Sequence, residues 1–299
     1  MSQLTTGNIV TKQTTLSRRT YLAGAGGAVS VGLAGCLGGG DSDSLTVAYM
    51  PIFPDLQYFV MEQEGYLDEI DATIDGREFS DGPAIVQAYG GGELDIAMFG
   101  IVPSMIVIDR GLPAKVTAAN IKEPMAILAH DDLQSLWDEH GADAFSVLLR
   151  YWLQEAGVDT AAVDILEING ANAVFQAIAN DEIDGTSIME PVPTRVAEAT
   201  VPVSTFRLAS DIMPGQPAAV TLMSDSVRES PVATQFLEQH VSATAFIRNN
   251  PDATADIVES GIGMPADQAR SALDGPLSNF VTDPSEIENG VEIFSQFAN

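Results

Sequence analysis

The chain has 299 residues, 42 of them acidic and 13 basic, for a formal charge of −29. With three lysines in all, it offers no basic face to neutralise phosphates, which excludes a general nucleic-acid binder. The acids are scattered, as on a solvated surface adapted to high salt, and 45% hydrophobic residues leave ample material for a core.

In chain order, Arg18-Arg19 precedes an apolar run that is too short to span a bilayer and has the layout of a secretion signal. Ser17-Arg18-Arg19-x-Tyr21-Leu22 resembles a twin-arginine signal, and Leu33-Ala34-Gly35-Cys36 resembles a lipobox. Cys36 is the only cysteine, so it has no partner for a disulfide or a thiolate metal site. Lipidation of Cys36 is the expectation, with residues 1–35 removed as the signal and 36–44 a glycine- and serine-rich tether. Cleavage makes the remaining chain more acidic, because Lys12, Arg18 and Arg19 leave and no acid does.

From Leu45 short apolar runs alternate with helical patterns. "LTVAYM" reads as a strand, "DLQYFVMEQEGYL" as a helix closed by Gly65, and "IDATIDGREF" as a strand. "DGPAIVQAYGGG" reads as a helix, and "LDIAMFG" and "KVTAAN" as strands. This is the signature of βα units around a mainly parallel sheet. The pattern returns: "AIVQAYGGGELD" (84–95) aligns without gaps with "AVFQAIANDEID" (173–184), with identities at Ala84/Ala173, Gln87/Gln176, Ala88/Ala177, Glu93/Glu182 and Asp95/Asp184. Two such copies predict two α/β lobes, at 45–125 and 126–210. A return segment and helices packing on the lobes follow over 211–299.

Ligands of open α/β sheets bind beyond the carboxyl ends of strands. That rule selects Tyr49, Pro51, Phe53 and Asp55 after the first strand, and Ser80, Asp81 and Gly82 ahead of a helix. At equivalent strand ends of the two copies it selects Phe99-Gly100 and Met189-Glu190. Asp143, near the start of a helix in "SLWDEHGADAFSVLLRYW", would add a negative charge. The alternative for Tyr49 and Phe53 is loop packing around a turn fixed by Pro51 and Pro54, and for Ser80-Asp81 an ordinary helix cap. The three histidines, His130, His140 and His240, show no metal-ligand spacing, and no P-loop, dinucleotide fingerprint or nucleophile elbow occurs.

"VAYMPIFPDLQYFVMEQEGYL", "FSDGPAIVQAYGGGELDIAMFG", "RGLPAKVTAA" and "DEIDGTSIMEP" resemble the nitrate/sulfonate/taurine group of solute-binding proteins of ABC importers, which shares its fold with thiamine-precursor binding proteins. The resemblance runs from about Leu45 to Pro191. It implies a two-lobed α/β periplasmic-binding-protein-like fold of type II, with mixed, mainly parallel sheets and a ligand cleft between the lobes. It further implies a monomer without cofactor or metal, lipid-anchored on the outer face of the membrane, that passes a small-molecule solute to a permease and ATPase. Met189 stands where family members usually have tryptophan, and Arg77, Arg195 and Arg207 are the few candidate anion donors. The acids at the strand ends therefore favour an amine-bearing heterocycle, such as a thiamine-precursor pyrimidine, over nitrate or a sulfonate. A lyase-like enzyme on the same fold and a sensor for a membrane receptor are the alternatives.

Overall fold

The computed structural model describes residues 44–130, 166, 168, 171–289 and 291–292. The expected signal and tether, Cys36 and Asp143 lie outside the described residues. The described residues all belong to one compact unit.

The first strand, β1 (Ser44–Tyr49), alternates its side chains between two cores, as the two-residue period of a strand requires. Leu45 and Val47 enter one hydrophobic cluster, and Ala48 enters another on the opposite face. A 3-10 turn, Phe53–Asp55, leads into α1 (Leu56–Gln63), which ends at Gly65 in the left-handed conformation that favours glycine (φ 75°). A second 3-10 turn (Tyr66–Glu69) precedes β2 (Thr73–Glu78), an exposed strand. Next come α2 (Gly82–Gly90), β3 (Ile96–Gly100), α3 (Ile101–Asp109) and β4 (Ala114–Lys122). The chain then crosses into a second sheet with β5 (Ala126–His130), α4 (Ala171–Ala179), β6 (Gly185–Ile188), α5 (Val192–Glu198) and β7 (Val203–Leu208). It returns through α6 (Ala209–Ile212) to β8 (Pro217–Ser224) and the short α7 (Asp225–Arg228). Three helices, α8 (Pro231–Asn249), α9 (Pro251–Ile262) and α10 (Ala266–Leu273), and a 3-10 turn (Pro284–Ile287) complete the described fold.

The first sheet has the order β2-β1-β3-β8-β4 and the second β6-β5-β7. Both β2 and β3 pair with β1 in parallel, whereas β8 is antiparallel to β3 and β4. β5 is antiparallel to both its neighbours. The fold is α/β; the first sheet is mixed and the second is antiparallel in its described strands. The sheets are thus less parallel than the sequence pattern predicts, and the antiparallel content comes from the strands that carry the chain between sheets. One face of the first sheet is covered by α1 and the three C-terminal helices, through Phe59, Phe236, Ile247 and Val258 among others. The other face packs on Ile85, Tyr89 and Val107 of α2 and α3. With both faces covered, β3 reads as a near-continuous apolar run. In the second sheet, Ala126 and Leu128 pack against Val174 and Ile178 of α4 and Val192 and Val196 of α5.

The two repeated segments fold alike. Segment 84–95 ends α2 with Gly91 N–H to Gln87 O, Gly92 N–H to Tyr89 O and Glu93 N–H to Ala88 O, at 3.0, 3.0 and 3.1 Å. Segment 173–184 ends α4 with Asn180 to Gln176, Asp181 to Ile178 and Glu182 to Ala177, at 2.9, 3.1 and 2.9 Å. The left-handed turn residue falls at the same place in both, Gly92 (φ 72°) and Asp181 (φ 59°). Such closure satisfies carbonyls that the helix end would otherwise leave unpaired.

Candidate functional site

Three loops of the first sheet lie at the carboxyl ends of its parallel strands: 50–55 after β1, 79–81 after β2, and the β3–α3 junction at Gly100. They are tied together. The Phe79 N–H donates to Tyr49 O at 2.9 Å. A Cβ on Gly82 would stand 2.8 Å from Cγ of Pro103, and one on Gly100 would stand 3.3 Å from Cδ of the same ring. Glycine at 82 therefore lets the α2 start close onto α3. The Ser104 hydroxyl donates to Gly100 O at 2.8 Å. Asp81 caps α2, its Oδ1 accepting the Ala84 N–H at 2.8 Å, while Ser80 donates to its other oxygen at 3.0 Å. The cap reading of Ser80 and Asp81 is thus realised, on exposed side chains.

Three selected residues sit in the interior, which corrects the expectation that they wall a cleft. Phe53 is buried against Phe280, with ring centroids 5.6 Å apart, and Phe99 lies in the core between the sheet and α2. Asp55 is wholly buried, and its Oδ2 accepts the Met50 N–H at 3.1 Å, so it fixes the shape of the loop from beneath. Burial holds its carboxyl well above the usual range, partly offset by that N–H and by the nearby Asn120 side chain. Tyr49 is half-buried and stacks on Tyr58 at 3.8 Å, while Pro51 stays partly exposed in the loop.

Beneath this loop a polar network runs through the core. Asn120 of β4 accepts from the Thr221 hydroxyl of β8 at 2.8 Å and lies 3.2 Å from Nε2 of His240 on α8. Gln57 donates to Asn120 O at 2.7 Å. Oδ1 of Asp55, Oε1 of Gln57, Nδ2 of Asn120 and Nδ1 of His240 make no hydrogen bond of regular geometry among the described residues. Burial pushes His240 down to about 4. Sequence reading missed this network. Its polar members sit in apolar stretches 63 to 187 positions apart, with no local signature.

The second sheet brings a different end to the same place. β5 begins at Ala126, which pairs with Ile188 of β6 and Leu208 of β7, so Met189-Glu190 emerges beside the crossover. Glu190 is buried, accepting from the Thr194 N–H at 3.2 Å and the Thr194 hydroxyl at 3.0 Å; burial raises its carboxyl. Met189 remains half-buried. Two crossing segments join the sheets, 123–125 outward and 209–216 in return. Glu123 ties them: its N–H donates to Gln216 O at 2.8 Å and its Oε1 accepts the Gly215 N–H, while Oε2 accepts from Asn279 at 3.2 Å. Glu123 holds φ 56°, an uncommon left-handed value for a residue other than glycine. The signal that could have found it is the short "IKEPMA" link between two apolar runs.

The candidate anion donors are engaged elsewhere or placed by register. Arg77 pairs with Asp75 at 3.0 Å on the sheet edge, and Arg195 stacks over Phe175 at 4.2 Å. Arg207 stacks over Phe206 at 4.0 Å, and register puts it opposite Ile127, one residue from the crossover end of β7. Among the described residues no three of His, Cys, Asp and Glu gather as metal ligands, and no helix is long and apolar enough to cross a membrane.

By structure the chain is similar to the periplasmic aliphatic sulphonate binding protein SsuA from Escherichia coli, with TM-score 0.72, 17% identity, and 86% of this chain and 87% of that chain covered. It is similar to the ligand binding component of an ABC-type import system from Staphylococcus aureus, with TM-score 0.70, 16% identity, and 86% and 92% covered. The periplasmic nitrate-binding protein NrtA from Synechocystis PCC 6803 follows, with TM-score 0.65, 13% identity, and 83% and 75% covered. At these identities the likeness shows the fold. In sequence, a protein of Brucella abortus described as a candidate binding protein is 25% identical over 209 residues, which is 66% of this chain and 65% of that relative's length. The NMT1-like family matches over residues 38–146 and 144–262, most of the described fold, and the chain belongs to that family.

Proposed function

We propose that this chain is the solute-binding component of an ABC import system, holding a small molecule at the carboxyl ends of β1, β2, β3 and β6 and passing it to a permease and ATPase without chemistry. The observation that carries the reading is the pair of crossovers, 123–125 and 209–216, bridged side by side by Glu123. Two α/β bodies joined by two short antiparallel links can close on a ligand by hinge motion. On this reading the chain acts as a monomer outside the cytoplasm, anchored by lipid on Cys36, and Tyr49, Pro51, Ser80, Gly100 and Met189 contact the solute.

Asp55 does not reach the solute space, so the negative field expected at the site loses one source, while Glu190 keeps its charge with each oxygen already accepting once from Thr194. Phe99, wholly buried, offers no ring face to a solute. A cationic or neutral heterocycle then rests on Tyr49, on Glu190 and on Asp143 outside the described residues. Arg207, at the crossover end of β7, favours the second reading, an anionic solute.

Calorimetry with an aminopyrimidine, taurine, an alkanesulfonate and nitrate separates the two. A solute present at 100 times its Kd adds about 2.7 kcal/mol to stability, so a thermal shift in high salt gives an independent readout. For an amine ligand, Glu190→Gln should weaken binding about tenfold, since a charge-assisted hydrogen bond is worth about 1.5–3 kcal/mol. For an anion, Arg207→Gln should do so instead. Binding of none of the four, with the folded protein intact, would leave the import reading without a substrate from these classes and count against it.

A further inference from the structure

On the flank of the first sheet, α1, the turn at 66–69 and strand β2 border an open cavity of about 450 Å³, within the usual range for small-molecule sites. It lies along the first half of β2, from Thr73 to Gly76, whereas the solute loops leave from the far ends of the strands. Two carboxylates line it, Glu62 and Asp68, with no ion-pair or hydrogen-bond partner among the described residues and no lysine, arginine or histidine beside them in the lining. The nearest arginine in sequence, Arg77, is engaged by Asp75 at 3.0 Å and reaches Glu93 at 3.9 Å. Ile70 and Ile74 supply apolar wall.

Exposed acids alone would be an ordinary solvated face in so acidic a chain. Tyr58 changes that. Its side chain is 2% exposed, its ring stacks on Tyr49 at 3.8 Å and 15°, and it meets Phe59 edge-on at 6.1 Å. The ring cannot turn away to seek water. Its hydroxyl is pressed to the cavity wall at Gly76, where a Cβ would stand 1.8 Å from the oxygen, so only glycine admits it. That hydroxyl makes no hydrogen bond among the described residues, and it belongs to the lining of the cavity. Burial, then the charge of Glu62, push the phenol's pKa up, so it stays neutral and keeps its oxygen as an acceptor.

We propose that this flank cavity is a second binding site, for a small primary alkylammonium ion, with Glu62, Asp68 and the Tyr58 hydroxyl accepting its three N–H bonds and Ile70 and Ile74 holding the alkyl chain. A primary ammonium carries three donors and no acceptor, and two carboxylates and a phenol oxygen can each accept one of them. The site shares no residue with the proposed solute site and meets it only where Tyr58 stacks on Tyr49, so the carboxylates Glu62 and Asp68 test it separately from the import reading.

The test is an NMR titration of the full chain with n-butylammonium chloride at constant ionic strength, observing the amides of Gly65, Thr73 and Gly76. Saturable shifts at these amides are expected. n-Butanol and tetramethylammonium, which lack the charge or the donors, should bind at least tenfold more weakly. Tyr58→Phe keeps the ring packing and removes only the acceptor, and should weaken binding about fivefold or more. Glu62→Gln with Asp68→Asn should abolish the shifts, although 40 other acids keep the general negative field nearly as before. Non-saturating shifts, equal binding of n-butanol or tetramethylammonium, or unchanged affinity in Tyr58→Phe would each overturn the proposal.

Discussion

The two helix–turn–strand copies, 84–100 and 173–190, close their helices with the same three hydrogen bonds and then part company. In the first copy, β3 is buried in mid-sheet and begins with Ile96, which is fully buried. In the second, β6 pairs only with β5 among the described residues, and the position equivalent to Ile96 is Gly185. The strand ends differ too. Gly100 leaves the α3 start without a side-chain cap, whereas Glu190 turns back onto Thr194 in the first turn of α5. The repeated part is scaffold, fixed by helix-closing geometry that many side chains satisfy. The unrepeated part lies where a sheet meets its own neighbours and where a ligand would be met.

The strand starts give the largest expected effects. Ile96→Ala removes a buried branched side chain and should cost about 2–5 kcal/mol, read as a shift of the denaturation midpoint. Gly185→Ala adds one carbon and should still cost about 1–3 kcal/mol, because that Cβ would lie 2.7 Å from Leu128 O, a backbone atom held in the β5–β6 ladder. Were Gly185→Ala to unfold at the wild-type midpoint, the two strand starts would be more alike than their geometry indicates.

The next contrast is between two buried carboxylates. Glu190 is bonded through both oxygens, while Asp55 has one oxygen unbonded beside a network that ends on His240. His240 is neutral in the folded protein and titrates near 4 instead of 6.5. The unfolded chain therefore binds the extra proton between those values, and stability is lost as pH falls from about 6.5 to about 4, by about 3 kcal/mol from this group alone. Asp55, raised instead of lowered, acts with opposite sign: its contribution is present at low pH and declines as pH rises above about 3.8 toward its folded value. His240→Gln should remove the first slope and leave the second, so that the variant loses stability on going up from pH 4. Denaturant titrations at several pH values decide it; an unchanged acid-side slope in His240→Gln would mean the imidazole is not the group responsible.

This contrast also marks how far the sequence can be read. Alternating apolar runs, the glycine at 65 and the paired motifs made the α/β fold and the two copies legible, because those signals are local. The insertion of β8 between β3 and β4 was not, since "PAAVTLMS" acquires its place only from partners about 100 residues earlier. For the same reason Asp55 reads as a cleft residue in sequence and is a core residue in the fold. Asn120 and His240, which close the interior around it, arrive 65 and 185 positions later. Phe99 follows the same logic: its strand is covered on both faces, so a strand-end aromatic packs inward. Ser80, Gly82 and Gly100 kept their positions at the strand ends because turns and caps are written in adjacent residues.

The smallest expected effects lie in the turns that the copies share. Gly92 and Asp181 occupy the same left-handed position, at φ 72° and 59°. No atom lies within 4 Å of a Cβ built on Gly92, so a substitution there meets only backbone strain. Gly92→Ala should cost about 1 kcal/mol on that ground, and Gly92→Asp less, because a short polar side chain tolerates this conformation better than alanine does. Asp181 already carries that strain, so Asp181→Gly should stabilise by a few tenths to about 1 kcal/mol. It also gives up a 3.8 Å approach to Nε2 of His130, but the Asp181 carboxylate is 73% exposed and such a contact is worth little in water. The three variants should therefore rank Asp181→Gly above wild type, then Gly92→Asp, then Gly92→Ala in denaturation midpoint. A clear loss of stability in Asp181→Gly would show that the aspartate does work of its own in the second turn, and that the two closures, identical in hydrogen bonds, differ in what holds them.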